Sequence, residues 1–238
     1  MRSITNSMES IINNNIEIIN NRIEHICQKT GISREDIILI GVTKTRNPDE
    51  INEAIRGGIG NIGENKVQEI LDKYDKVLPV KWHMIGHLQT NKVKYIIDKV
   101  DMIHSVDSIK LVQEIDRRAK QHNLKMNVLI QVNVAEEESK FGIKTEDLAS
   151  FLMQVEKYDN IIIKGLMTVA PYVENPEDVR IFFHRMKQIF DTYKSSPLKN
   201  IDMKFLSMGM TNDFEVAIEE GANMIRIGTA IFGSRNYI

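Results

Sequence analysis

Three short stretches of the sequence carry groups that could act on a ligand together. Lys44 follows the apolar run Ile37-Ile38-Leu39-Ile40-Gly41-Val42-Thr43. A primary amine at a strand end can attack a carbonyl carbon and form an imine. To do so it must be neutral, which requires burial or nearby positive charge to lower its pKa from about 10.4. Far along the chain, Ser207-Met208-Gly209-Met210 and Gly228-Thr229-Ala230 combine hydroxyls and small residues just before helical patterns. Free backbone N–H groups at such places suit a phosphate dianion. Arg226 alternates with apolar neighbours in Met224-Ile225-Arg226-Ile227, and a guanidinium in a strand built for burial needs an acceptor. Each group also has an ordinary explanation. A strand-end lysine is usually solvated, Ser207 and Thr229 can cap helices, and Arg226 can form a structural ion pair.

These groups need elements that bring them to one place. Ile38, Ile40, Val42 and Lys44 share one face at period two, while Leu39, Gly41 and Thr43 share the other. Both faces are apolar enough for a strand buried on two sides, the habit of parallel sheets. A helix should follow, with Asn47 as N-cap, Pro48 at its first position, Glu50 closing a capping box, and Gly57 and Gly58 as its stop. Further strands are expected near 59–62, 81–85, 101–104, 127–134, 161–167, 203–207 and 223–227. Helical patterns lie near 64–76, 90–99, 108–121, 145–157, 175–194 and 213–220. Thr145, the pair Asn175-Pro176, and Asn212 with Glu215 read as helix starts, and Gly221 as a stop. Strands alternating with helices mean parallel βα units. Counting 37–43, eight strands fit in 238 residues, near the roughly 250 typical of a (β/α)8 barrel. That α/β barrel (TIM barrel) is the expected fold, with a doubly wound open sheet as the alternative. Ahead of it, Ile4, Met8, Ile11, Ile12, Ile16, Ile19, Ile23 and Ile26 describe one amphipathic helix over 3–29, ended by Gly31. No linker divides the chain, so one domain is expected over 1–238, a helical extension to 35 and then the barrel over 36–235.

Composition narrows the function classes. The chain is 42% hydrophobic and 27% charged, with net charge −2, which offers no basic footprint for nucleic acid or an anionic membrane. A lone Cys27 excludes an intrachain disulfide and a cysteine-cluster zinc site. No signal peptide or membrane span is evident, so a cytoplasmic protein is expected. Gly58, Gly60 and Gly63 spell a dinucleotide fingerprint, but the first glycine ends a helix instead of a strand and no carboxylate follows about twenty residues on.

A lysine amine, a phosphate cradle and a fixed cation at one barrel mouth fit pyridoxal 5′-phosphate. An arginine at the pyridine nitrogen donates but cannot accept, leaving that nitrogen unprotonated and the ring a poor electron sink. The stretches VTKTR at 42–46, NIGENKVQE at 61–69, WHMIGHLQTNK at 82–92, HSVDS at 104–108, QVNVAEEESKFGI at 131–143, GLMTVAP at 165–171, LSMGMTNDFEVAIEEGA at 206–222 and RIGTAIFGSR at 226–235 resemble the pyridoxal phosphate homeostasis protein family. The resemblance covers nearly the whole chain after residue 35. It implies a single barrel like the N-terminal domain of alanine racemase, holding the cofactor without a well-defined catalytic activity. By that resemblance Lys44 is the imine lysine, Asn65 lies near the ring, Ser207, Gly228 and Thr229 hold phosphate, and Arg226 faces the pyridine nitrogen. Gly209, in the first phosphate loop, and Met167, as pocket lining, complete the expected set.

Other polar residues read more plainly. His83 is at most a supporting neighbour of the site, and His87 a loop residue. Lys92, Lys94 and the run Glu136 to Glu138 suggest solvated faces, with Lys140 beside the latter on the active face and a candidate to pass the aldehyde onward. Met208 and Met210 suit filler or pocket lining. Three functions compete: a cofactor-handling protein that delivers pyridoxal phosphate, with apo-enzymes as candidate recipients; a racemase or decarboxylase of the alanine-racemase type; and an imine-forming aldolase on sugar phosphates. The racemase architecture adds a β-rich domain carrying a catalytic tyrosine, and this sequence stops at Ile238, so the first is expected, as a monomer.

Overall fold

The computed structural model describes residues 2–137 and 140–233, with side chains from residue 11. Ile4 and Met8 of the expected apolar stripe, Glu138 of the acidic run, and Ser234 and Arg235 of the last signature stretch therefore lie outside the described side chains.

Eight parallel strands close into a barrel in chain order. They are β1 (Ile38–Val42), β2 (Asn61–Glu64), β3 (Lys81–Met84), β4 (Met102–Val106), β5 (Met126–Gln131), β6 (Ile161–Met167), β7 (Ile201–Ser207) and β8 (Met224–Ile227). Closure is made by β1 on β8, in the register Ile38 with Met224 through Gly41 with Ile227. The helices are α1 (Arg2–Thr30), α2 (Pro48–Arg56), α3 (Val67–Lys73), α4 (Ile109–Gln121), α5 (Leu148–Val155), α6 (Arg180–Tyr193), α7 (Phe214–Glu219) and α8 (Thr229–Phe232). The open-sheet alternative is thereby excluded.

Local chemistry sets most boundaries. Asn47 accepts from the Glu50 N–H while Glu50 accepts from the Asn47 N–H, each at 3.0 Å, and Pro48 opens α2. Asn175 accepts from Glu177 at 3.3 Å, where a 3₁₀ turn, Pro176–Val179, precedes α6. Gly31 and Gly221 leave α1 and α7 at φ 74° and 93°, conformations that cost glycine little.

Several expectations shift. The second strand lies at Asn61–Glu64 because its register with β1 pairs Gly41 with Ile62, so buried Ile59 stays in the loop. The helix expected near 90–99 is a 3₁₀ segment, Thr90–Tyr95; its run of β-branched Val93, Ile96 and Ile97 has weak α propensity. β5 ends at Gln131, where a turn from Asn133 to Glu136 takes over, with Glu136 at φ 58°. Thr145 opens a 3₁₀ turn instead of capping one, its hydroxyl donating to Glu136. The Asn212–Glu215 capping box does not form: Asp213 holds the N-cap position of α7, and Glu215 instead pairs with Arg22 of α1 at 2.8 Å.

Two apolar layers result. Ile40, Met102, Leu129, Met167 and Met224 pack inside the barrel, while the opposite faces of the strands pack against the helices. The inward set follows the period-two alternation, and that alternation also delivers Arg226, Ser207 and His83 to the barrel interior.

Candidate functional site

At the carboxyl ends of the strands, a cavity of about 520 Å³ is lined by Lys44, Arg226, Gly228 and Thr229, together with Lys140 and Asp213. Its size suits a small cofactor. Apolar Val169 to Val173 and Met210 form the opposite wall. A second cleft of about 630 Å³, between Thr90 and Arg118, is rimmed by His87, Lys94, Asp107 and Lys110. It holds none of Lys44, Arg226, Gly228 and Thr229, and its Arg117 and Arg118 are already paired with Glu114.

Lys44 stands two residues beyond β1, at the corner of a turn closed by the Arg46 N–H on the Thr43 carbonyl at 3.0 Å. Arg226 is 4% exposed. Burial lowers its pKa to about 10, against the opposing pull of Asp213, so it stays protonated at neutral pH. Among the described residues no carboxylate lies within ion-pair distance of it. Its Nη1 donates to Ser207 Oγ at 2.6 Å and its Nη2 to the Thr168 carbonyl at 2.8 Å. The structural ion pair is thus replaced by two neutral acceptors, and the guanidinium forms part of the cavity wall.

Ser207 is fully buried directly behind Arg226 and caps no helix. Thr229 is likewise not a cap; Gly228 precedes it at the N-cap position of α8. Met167 packs in the inner core layer, and Gly209 lies under α7, at φ 92° with a built Cβ only 2.6 Å from the Ala217 Cβ. Asn65 follows β2, its backbone against Gly86. Thus Lys44, Arg226, Gly228 and Thr229 share the cavity, Ser207 supports it, and Asn65, Met167 and Gly209 stand outside its lining.

Behind Arg226 a line of polar side chains runs through the barrel. Ser207 Oγ and His104 Nδ1 are 3.4 Å apart, His104 Nε2 and His83 Nδ1 2.9 Å, and His83 Nε2 and Asn61 Oδ1 3.1 Å. One end is a guanidinium that only donates; the other is a carbonyl oxygen that only accepts. The direction of every link follows. Ser207 donates to His104, His104 to His83, and His83 to Asn61, with both rings neutral. Burial agrees, pushing His83 down to about 4 and His104 well below the ordinary histidine value. His83 is therefore held by side chains, two links away from Arg226.

Asp213 is also part of the wall. Its Oδ1 accepts from the Met210 N–H at 2.6 Å, and burial raises its pKa. Of the remaining residues, His87 stacks on Phe141 with ring centroids 4.0 Å apart, Lys94 lies over Tyr95, and Lys140 pairs with Glu137 at 3.0 Å.

The family described as "Alanine racemase, N-terminal domain" matches residues 15–236. The pyridoxal phosphate homeostasis protein of Aquifex aeolicus (strain VF5) is 45% identical over 213 residues, 89% of this chain and 92% of that one. Among solved structures, an unknown protein from Bifidobacterium adolescentis superposes with TM-score 0.90 at 32% identity, covering 95% of this chain and 96% of that one. PipY of Synechococcus elongatus PCC7942, with PLP bound, gives TM-score 0.77 at 30% identity over 89% of this chain and 100% of that one. Identity of 45% over 89% of the chain, with the family model matching residues 15–236, makes the chain a member of the pyridoxal phosphate homeostasis protein family, built on the alanine racemase N-terminal fold.

Proposed function

We propose that the chain binds pyridoxal 5′-phosphate in the cavity at the strand ends and serves its intracellular supply, without strong catalysis of its own. The observation that carries this is Arg226: a buried, charged guanidinium, bonded to Ser207 and the Thr168 carbonyl and facing the same cavity as Lys44. Bound cofactor would bring an aldehyde for attachment to a neutral lysine amine. Lys44 takes that part, Gly228 and Thr229 take the phosphate, and Ser207 holds Arg226 in place for the ring nitrogen. PLP in the related PipY supports the choice of ligand.

Arg226 also bears on activity. Arg226 at the pyridine nitrogen would only donate, so the bound cofactor would supply a weak electron sink, and proton exchange at an amino acid's α-carbon would be slow. Delivery to apo-enzymes is then the natural use of the bound cofactor, and no helix among the described residues is long and apolar enough to cross a membrane.

The test is spectroscopic. Purified protein incubated with pyridoxal 5′-phosphate should turn yellow, and borohydride should fix a pyridoxyl group on the peptide containing Lys44. Lys44→Ala should stay folded and colourless. A wild-type protein that takes up no cofactor, or an adduct that persists on another lysine in Lys44→Ala, would refute the assignment. Rapid α-proton exchange of any L-amino acid in deuterium oxide, lost in Lys44→Ala, would make the protein an enzyme.

A further inference from the structure

The outward faces of β1 and β2 carry a second polar group that the cavity does not include. Thr43 and Glu64 are both wholly buried, and the Thr43 hydroxyl donates to Glu64 Oε1 at 2.7 Å. The Lys73 ammonium, at the end of α3, donates to Glu64 Oε1 at 2.7 Å, to Glu69 Oε2 at 2.8 Å and to the Thr43 carbonyl at 2.9 Å. Glu69 Oε2 in turn accepts from the Thr45 N–H at 2.6 Å. One ammonium and its carboxylates therefore grip the backbone on both sides of Lys44.

The grip has something to hold. Thr45 lies at φ 65°, a strained conformation that a β-branched residue rarely adopts. Without an outside constraint the turn should relax, and the Lys44 side chain would swing with it. A buried ion pair is a poor way to stabilise a barrel, since desolvation offsets its attraction. Here burial pushes the Glu64 carboxyl upward even against Lys73 and Thr43, and Glu64 Oε2 has no hydrogen-bond partner among the described residues. Such a group is better explained by where it puts the chain than by what it adds to stability.

We propose that Lys73, with Glu64 and Glu69, is a positioning device for Lys44: it locks the strained turn that aims the lysine amine into the cavity. The inference rests on the reading of Lys44 as the attachment lysine. Attachment joins Lys44 Nζ to the aldehyde carbon with loss of one water, so its rate depends on how the amine is aimed and requires no further reactant.

The test separates attachment from binding. Pyridoxine 5′-phosphate, which has an alcohol in place of the aldehyde, reports the cavity alone, and pyridoxal 5′-phosphate reports the aim of Lys44. In Glu69→Ala and Lys73→Met, the attachment rate should fall by about ten- to a hundredfold, the scale set by misplacing a reacting group by an ångström or so. Pyridoxine 5′-phosphate affinity should change less than threefold, on the order of one surface contact. Glu69→Gln, whose amide oxygen still accepts from the Thr45 N–H, should attach at close to the wild-type rate. Thr45→Gly added to Glu69→Ala should recover most of the loss, because glycine adopts a positive φ without help. Wild-type rates in Glu69→Ala would overturn the proposal. So would equal loss of attachment and pyridoxine 5′-phosphate binding in Glu69→Ala, unrecovered by Thr45→Gly, since that describes general support of the barrel. Failure of the wild-type protein to attach the aldehyde while it still binds pyridoxine 5′-phosphate would refute the assignment of Lys44 itself, and the positioning role with it.

Discussion

Acid should unfold this barrel from the inside, through the two histidines behind Arg226. His83 is held down to about 4 in the folded protein by burial, while in the unfolded chain it returns to about 6.5. Between those values the unfolded state binds the extra proton, so stability is intact above about pH 6.5 and is lost as the pH falls toward 4. At about pH 5 the two titration curves differ by about 1.5 logarithmic units of proton binding, or about 2 kcal/mol for His83 alone. His104 adds in the same direction, because burial beside His83 and Arg226 lowers it further. The cost has a visible structural source: a proton on His83 sets its Nδ1–H against the His104 Nε2–H, and a proton on His104 sets its Nδ1–H against the Ser207 O–H, in a line whose donors and acceptors are already assigned. Urea unfolding followed by circular dichroism from about pH 8 to 5 would measure it, with His83→Gln as the control that keeps a polar side chain and removes the titration. The wild type should lose at least about 2 kcal/mol more than His83→Gln across that range. Parallel curves would mean that His83 is not buried as a neutral ring, and the directed line from Arg226 to Asn61 would fall with it.

Two further substitutions probe the loop under the cavity. Gly209→Ala places a Cβ 2.6 Å from that of Ala217 at φ 92°, and should destabilise the protein by about 1–3 kcal/mol by overpacking and backbone strain; a thermal midpoint within error of wild type would contradict the packing described. Ser207→Ala leaves Arg226 Nη1 and His104 Nδ1 short of a partner. Combined with Thr229→Ala, it should weaken pyridoxal 5′-phosphate binding by more than the sum of the single effects, because Arg226, held by Ser207, and Thr229 line one cavity; strictly additive small losses in a binding titration would mean that Arg226 and Thr229 act on the ligand independently.

Lys44, Arg226, Gly228 and Thr229 were readable because each lies at the end of, or within, an apolar run whose period fixes its direction. Local signals sufficed. The line behind Arg226 was not readable in the same way. His104 sits in Met-Ile-His-Ser-Val with no neighbour to mark it, and its partners come from β3 and β7. Only the barrel's register places them in contact. The one available hint was a polar side chain at an inward position of a strand buried on both faces, which has to find a partner. The same holds for Thr43, Glu64 and Lys73, whose contacts span 9 to 30 residues. The start of α7 was displaced by one residue because Asn212 and Asp213 both suit an N-cap, and Glu215 had a stronger use in its pair with Arg22.

The long first helix has a consequence for how the chain comes into being. The buried side of α1, carrying Ile12, Ile16, Ile19, Ile23 and Ile26, lies against α2 and across the seam where the barrel closes, next to α7 and α8. Its polar anchors there are remote: Arg22 binds Glu215, 193 residues on, and the Asn15 amide binds the Ile231 carbonyl, 216 residues on. On a ribosome adding roughly 5–20 residues per second, most of that surface waits on the order of 10–40 seconds for its partners. During that interval five isoleucines of a helix already made are exposed to the crowded cell, with the association hazard that any unpaired apolar stripe carries. An element synthesised well before α7 and α8 is among the last that can dock, and the barrel's seam stays uncovered until they arrive.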